Sequence, residues 1–378
     1  MASGLLSMRR VGTVRIGNGS EAEGGDLFLF VKPRNGKRLH FRHRKARRVR
    51  RPHAAGQCTF KEVAGQWVAA NDQWSAGYVR QIRSYLDRDI LPAIGDLPVE
   101  EVTPLHVRSI VESVAGRGAR CAALLVSQWI SQIFSHAVLK GLREDDPARL
   151  LKGLVKRPTV RHHPPLTWPD IPGFFECLET WSGRASVKIA LRLLALTFVR
   201  PSELRLARWE EFDLANRLWT IPKERMKMRR VHMVPLSRQA VALLRALRAQ
   251  TGDGAVLFPN HRAPGRALSA STFNRAIDRL GYGGRFSAHG FRATATTLLG
   301  LLGYPDKLVD LQLAHRRRDT SRAPYDHARF VGSRTLLMQD WADILDALMA
   351  GQHYARVSQA FGPLSRRRTR ILRVIERE

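Results

Sequence analysis

The chain has 378 residues, 44% of them hydrophobic, 8% aromatic and 25% charged, which excludes a miniature scaffold, a fibre or a disordered polymer and leaves room for two or three domains. Its charge is abnormal: 63 Lys and Arg oppose 33 Asp and Glu, a net charge of +30 that calls for a polyanionic partner, nucleic acid first. Cys58, Cys121 and Cys177 stand far apart with no CxxC pair, so neither a zinc site nor a disulfide framework is supported and a reducing compartment fits. The longest strongly apolar stretch, Ile189 to Val199, is broken by Arg192 and too short to span a bilayer. The N-terminus carries no signal-like apolar run, so a soluble intracellular protein without membrane contact is expected.

Residues 1–25 sustain no period, end in Gly and Ser, and read as a flexible arm. Next, DLFLFVKPRNGKRLHFRHR reads as a β-hairpin, with Leu27, Leu29 and Val31 alternating with Phe28 and Phe30 before a PRNGK turn. From Lys32 to Arg51 there are eleven Lys or Arg and no acid, a charge that suits phosphates, or else a solvated basic tail. Residues 58–157 turn helical in four amphipathic segments, the last with Ala123, Val126, Ile130, Ile133, Phe134 and Ala137 on one face and Gly141 as its stop. Pro158, Pro164 and Pro165 mark a basic linker over 158–166.

The remainder, 167–350, mixes helices with one antiparallel unit, RLWTIP and VHMVPL around a basic turn, in which His232 is expected to face solvent. Helices are expected over Ser186 to Thr197, Pro201 to Arg208, Ser237 to Gln250, Ser271 to Leu280, Ser287 to Leu302, Asp306 to Ala314 and Ser333 to Met349. Residues 351–378 read as a basic tail with no core of its own.

Glu210, Glu211 and Asp213 in WEEFD form an acidic run that reads as Mg²⁺ ligands or as a solvated helix end, and the chain has no GxxxxGK[ST] phosphate loop. Metal-free cleavage of a phosphodiester needs cations on the non-bridging oxygens, an in-line nucleophile and an acid for the leaving oxygen. Arg200 lies between an apolar helix and Pro201. His289 and Arg292 are three apart at the start of a helix that Ser287 can cap, near the end of the dipole that favours an anion. His315 ends LVDLQLAH, and Tyr325 follows after RRRDTSRAP.

The series TFVRPSEL, RMKMRR, HGFR, LAH and RAPYDH resembles, in order and spacing, the catalytic boxes of tyrosine recombinases, most closely the P4-like integrases of prophages and genomic islands. The likeness covers about Thr59 to Ala347, including LDRDILPAIGDLPVEEVTP and FSHAVLKGLREDDPARLLKG from that family's core-binding domain. It implies a multidomain, mainly α fold with small β elements: a β-hairpin remnant of an arm-binding domain over 26–57, a helical SAM-like core-binding domain and an α+β catalytic domain. It also implies a cytoplasmic, nucleoid-associated bacterial protein that integrates or excises a mobile element.

Carried over, the resemblance makes Tyr325 the nucleophile of a 3′-phosphotyrosyl link, and Arg200 and Arg292 the neutralisers of the phosphate. Lys227 becomes the donor to the leaving oxygen, His289 a proton-transfer group, His315 a phosphate donor and Glu203 the support of Arg200. Lys223, Arg225, Arg229 and Arg230 share the turn of Lys227 and are further candidates for a phosphate clamp. No cofactor or metal is implied. The partners are double-stranded DNA at attachment sites and further copies in a tetramer, with an excisionase and a DNA-bending host protein as accessories. The helix around Leu336 to Leu348 either docks on a neighbour or packs on its own domain.

Phe198 and Ser202 replace glycines of the family's TGVRPGEL pattern, implying a tighter backbone around Arg200, and Pro324 stiffens the segment of Tyr325. The hairpin resembles only the centre of an arm-binding domain. From these departures comes the alternative of a degenerate integrase that binds DNA without cutting it. A type IB topoisomerase shares the chemistry but lacks the core-binding motifs and linker, and a basic RNA-binding or chromatin protein would explain the charge alone.

Overall fold

The computed structural model describes residues 14–18, 27–31, 39–43, 58–159, 164–226, 229–252, 254–315, 330–363 and 365–377. They fall into two compact units, Met1–Val160 and Arg161–Glu378.

In the first unit, β1 (Val14–Asn18), β2 (Leu27–Val31) and β3 (Leu39–His43) form an antiparallel sheet with β2 central, Val14 opposite Val31 and Leu27 opposite His43. The expectation of a flexible arm through residue 25 is thereby corrected: part of it supplies a third strand. A five-residue edge strand between Gly-rich flanks has too few alternations to register as periodic. The PRNGK turn lies outside the described residues.

The helical part follows the expected segments. Thr59 caps α1 (Phe60–Ala69) in a reciprocal box with Glu62, Ser75 caps α2 (Ala76–Tyr85), and Thr103 caps α4 (Pro104–Gly116), whose first residue is the Pro that such a position tolerates. Between them a π-helical turn over Leu86–Ile90 carries α2 into the short α3 (Leu91–Ile94). The central α5 (Arg120–Leu139) buries Ala123, Val126, Trp129, Ile130, Ile133, Phe134 and Ala137 against the others, and Gly141 at φ 69° ends it. Among the described residues α5 alone is long and apolar enough to cross a membrane, and its apolar face is the core of this unit. Trp129 is fully buried, with its indole N–H donating to the Tyr78 hydroxyl at 2.9 Å.

The second unit has α6 (Asp170–Thr180) and α7 (Ala185–Thr197) at its centre, nine of the thirteen residues of α7 being buried, as its near-continuous apolar run requires. After α8 (Pro201–Arg205), β4 (Phe212–Asp213), β5 (Leu218–Ile221) and β6 (His232–Pro235) form an antiparallel sheet that adds one strand to the expected hairpin. Ser237 caps α9 (Arg238–Thr251) through a bond from Ala240 N–H, and a small hairpin, β7 (Pro259–Asn260) with β8 (Ala263–Ala267), precedes α10 (Thr272–Ile277). Then come α11 (Gly290–Leu301), α12 (Asp306–Gln312) and α13 (Val331–Met349).

Two expectations are corrected here, and one left open is decided. Helix α11 starts at Gly290, and Ser287 does not cap it; its carbonyl accepts the Gly290 N–H in a turn before the helix. Helix α13 packs on its own domain: Leu337, Met338, Trp341, Ile344, Leu345 and Leu348 are buried, and the Trp341 indole donates to the Ala195 carbonyl at 2.8 Å. The supposed tail over 351–378 holds α14 (Tyr354–Phe361) and α15 (Arg366–Arg377), whose Val357, Phe361 and Ile371 enter the core. Apolar residues this sparse build no period along the chain and find their partners on α13.

Candidate active site

Helix α7 ends in Phe198, which takes the left-handed conformation at φ 38° and ψ 34°. Arg200 follows in extended geometry, as a residue before proline must, and Pro201 opens α8. Glu203, one turn on and 3% exposed, accepts from the Arg200 backbone N–H at 2.8 Å and from its Nη1 at 2.6 Å, and Arg200 Nη2 reaches the Ala314 carbonyl at 3.3 Å. Glu203 thus sits where a carboxylate can orient Arg200.

On α11, Arg292 is 4% exposed and spends its fork on two carbonyls, Phe198 at 2.8 Å through Nη1 and Leu313 at 2.7 Å through Nη2. Burial, and then repulsion by Arg200, push its guanidinium down to about 10, with Glu203 opposing the shift; it stays cationic at neutral pH. His289, the residue before α11, keeps an exposed edge. Partial burial of the ring, followed by the charges of Arg292, Arg200 and His315, holds its imidazole below the ordinary histidine value and so neutral at pH 7.

The end of α12 completes the cleft. Ala314 is left-handed at φ 48°, its N–H bonding the Leu311 carbonyl while the His315 N–H bonds that of Asp310, a Schellman closure with alanine in the place that favours glycine. The reversal brings the His315 ring back over the helix, where Nδ1–H donates to Asp310 Oδ1 at 3.1 Å. It also exposes the Leu313 and Ala314 carbonyls to the two arginines. Gln312, fully buried, binds the Thr197 carbonyl at 3.3 Å, and its own carbonyl accepts from His232 Nε2 at 3.0 Å. His232 is therefore 2% exposed and not a solvent-facing strand residue, because its ring is bonded to the main chain at the end of α12 and α13 packs on β6.

The β5–β6 turn is tied to the same place. Arg225 pairs with Glu211 and donates to the Glu203 carbonyl, and Glu211 also accepts from the Trp219 indole at 2.9 Å. Arg225 is thus a brace and not a phosphate clamp, and Glu211 is neither a metal ligand nor a solvated helix end. Among the described residues no group of three or more His, Cys, Asp or Glu comes together as a metal site. Lys223, Arg229 and Arg230 are exposed, and Lys227, Pro324 and Tyr325 lie outside the described residues. The structure brings together Arg200, Glu203, His289, Arg292 and His315. Asp310, Gln312 and the three carbonyls were missed: Asp310 is joined to His315 only through the Ala314 reversal, and backbone acceptors carry no side-chain signature.

The model of the phage integrase central domain matches residues 60–154, and that of the phage integrase family matches residues 166–330. The integrase of Enterobacteria phage P4 is 35% identical over 308 residues, covering 77% of this chain and 70% of that protein. The chain belongs to the phage integrase family. As a phage integrase it is a tyrosine-type site-specific recombinase. Prophage integrase IntZ of Escherichia coli (strain K12) is 36% identical over 294 residues, 77% of this chain and 72% of that one. A lambda integrase dimer bound to a COC′ core site shares the fold, with a TM-score of 0.56 at 18% identity over 69% of this chain and 96% of that chain. A lambda integrase tetramer bound to a Holliday junction has the same TM-score at 16% identity, over 81% and 96%.

Proposed function

We propose that this integrase cuts and rejoins duplex DNA at attachment sites through Tyr325. The phenol oxygen attacks the scissile phosphorus, the bond from phosphorus to the 5′ oxygen breaks, and a 3′-phosphotyrosyl ester conserves the bond energy. His289, neutral at working pH, takes the phenol proton, and Lys227 gives a proton to the departing 5′ oxygen. Arg200, Arg292 and His315 stabilise the charge that builds on the non-bridging oxygens, Glu203 keeps Arg200 in place, and attack by a 5′ hydroxyl of the partner duplex reverses the ester. The observation that carries this reading is the convergence of two arginines fixed by carbonyls and a carboxylate on two histidines.

The helical domain over 58–157 and the catalytic domain hold the core site in this reading, and four copies act together. An excisionase and a DNA-bending protein set direction. The binding-only alternative draws no support: the N-terminal sheet has three strands, and Phe198 is accommodated in the core.

The test incubates the purified chain with nicked DNA carrying the attachment core and separates products on a denaturing gel. A protein-linked strand from the wild type and none from Tyr325→Phe is the expected result. Binding of a confirmed site without an adduct would overturn the reading.

A further inference from the structure

We propose that α15 is a second phosphate-binding surface, one that grips duplex DNA away from the cleaved step. Arg366, Arg370 and Arg373 are exposed, and their spacing of four and three residues places them on one face of the helix. The other arginines of its first turn hold the helix to the fold: Arg367 pairs with Asp340 at 3.0 Å and Asp343 at 2.7 Å, and Arg368 donates to the Pro363 carbonyl at 3.3 Å. Ile371 is buried beneath the helix. No ion pair to Arg366, Arg370 or Arg373 occurs among the described residues.

This stripe opposes helix formation. Like charges three and four residues apart repel, and Arg366, in the first turn, also faces the positive end of the helix dipole. Without an ion pair among the described residues to offset that repulsion, a row of phosphates would turn it into attraction. Their place decides which phosphates. Arg368 lies beside Gly303, just past the end of α11, and α11 runs about 18 Å from its His289 end at ~1.5 Å per residue. The start of α15 thus lies at the end of α11 opposite His289 and Arg292, which assigns to it backbone outside the cleaved step. The family model matched over 166–330 does not extend to this helix.

The inference rests on the DNA-recombining reading above, and the experiment separates the two. Affinity of the full chain is measured against salt for a core-only duplex and for a core with long flanks, comparing wild type with the combined Arg366→Gln, Arg370→Gln and Arg373→Gln variant and with the matching triple Lys variant. At a slope of about 0.9 per phosphate contact, the Gln variant is expected to lose between two and three units of salt slope, so that between 50 and 200 mM salt wild-type affinity falls ~40-fold further than that of the variant. The Lys variant keeps the slope. Loss confined to the flanked duplex assigns the contact to flanking DNA, and loss on both assigns it to the ends of the core; each supports the surface. An unchanged slope on both duplexes, in a Gln variant that unfolds at the wild-type temperature and still forms the Tyr325 adduct, would overturn it. A wild type that forms no adduct refutes the recombinase reading instead and leaves the salt measurement standing.

Discussion

Arg292 donates through Nη1 to the carbonyl of Phe198 at 2.8 Å, and that carbonyl is aimed by a left-handed backbone at φ 38° where the resembling family has glycine. Holding a bulky residue there costs about 1–3 kcal/mol, which burial of the ring, 0% exposed and edge-on to Trp341 at 6.2 Å, offsets by about 2–3 kcal/mol. The expected tightness around Arg200 is thus resolved by a side chain that plugs the core while its backbone orients the guanidinium. Of the five non-glycine residues with positive φ among the described residues, Phe198 and Ala314 present carbonyls to the site arginines.

Phe198→Gly separates these roles. The lost ring costs about 3–5 kcal/mol and the relieved backbone returns about 1 kcal/mol, so stability is expected to fall by about 2–4 kcal/mol. Adduct formation by the folded fraction persists, because the acceptor is main chain. Denaturant unfolding beside the adduct assay reads both.

Ala314→Gly has no ring to lose. Glycine adopts the same left-handed turn without a Cβ penalty, so the variant is expected to gain roughly 0.5–1 kcal/mol and to unfold a few degrees higher. A lower melting temperature would contradict the reading of the turn.

Asp310 is expected to act through His315. Asp310→Asn lowers the rate of adduct formation by about tenfold, on the scale of one lost charged hydrogen bond, without weakening DNA binding, and Asp310→Glu restores part of it. In a His315→Ala background Asp310→Asn has no further effect. Additive losses would assign Asp310 to the fold alone.

His289 is expected to set the acid limb of the pH profile. Its imidazole is held below the ordinary value, so adduct formation is flat at neutral pH and falls only once the pH drops below the usual histidine value. Since the unfolded chain binds that proton first, stability also rises with pH until the unfolded value near 6.5 is passed. His289→Gln removes both slopes in rate and in unfolding measurements.

Glu211→Gln breaks a buried ion pair and leaves Arg225 uncompensated beneath the β5–β6 turn, an expected loss of about 3–5 kcal/mol. Thermal unfolding checks it, and an unchanged melting temperature would show that Arg225 finds another partner.

The sequence by itself determined the four amphipathic helical segments over 58–157, the Gly141 stop of the last and, through its resemblance to a known family, the order of the boxes and the support of Arg200 by Glu203. These depend on residue type and on neighbours within a turn or two. Only the tertiary structure decided that His232 and Glu211 are buried, that residues 351–378 fold back as two helices, and that Arg292 hangs from the carbonyls of Phe198 and Leu313. The reason is physical: a main-chain oxygen is the same in every residue, and a polar side chain is buried or exposed according to partners far along the chain, which reach it only once the helices have packed.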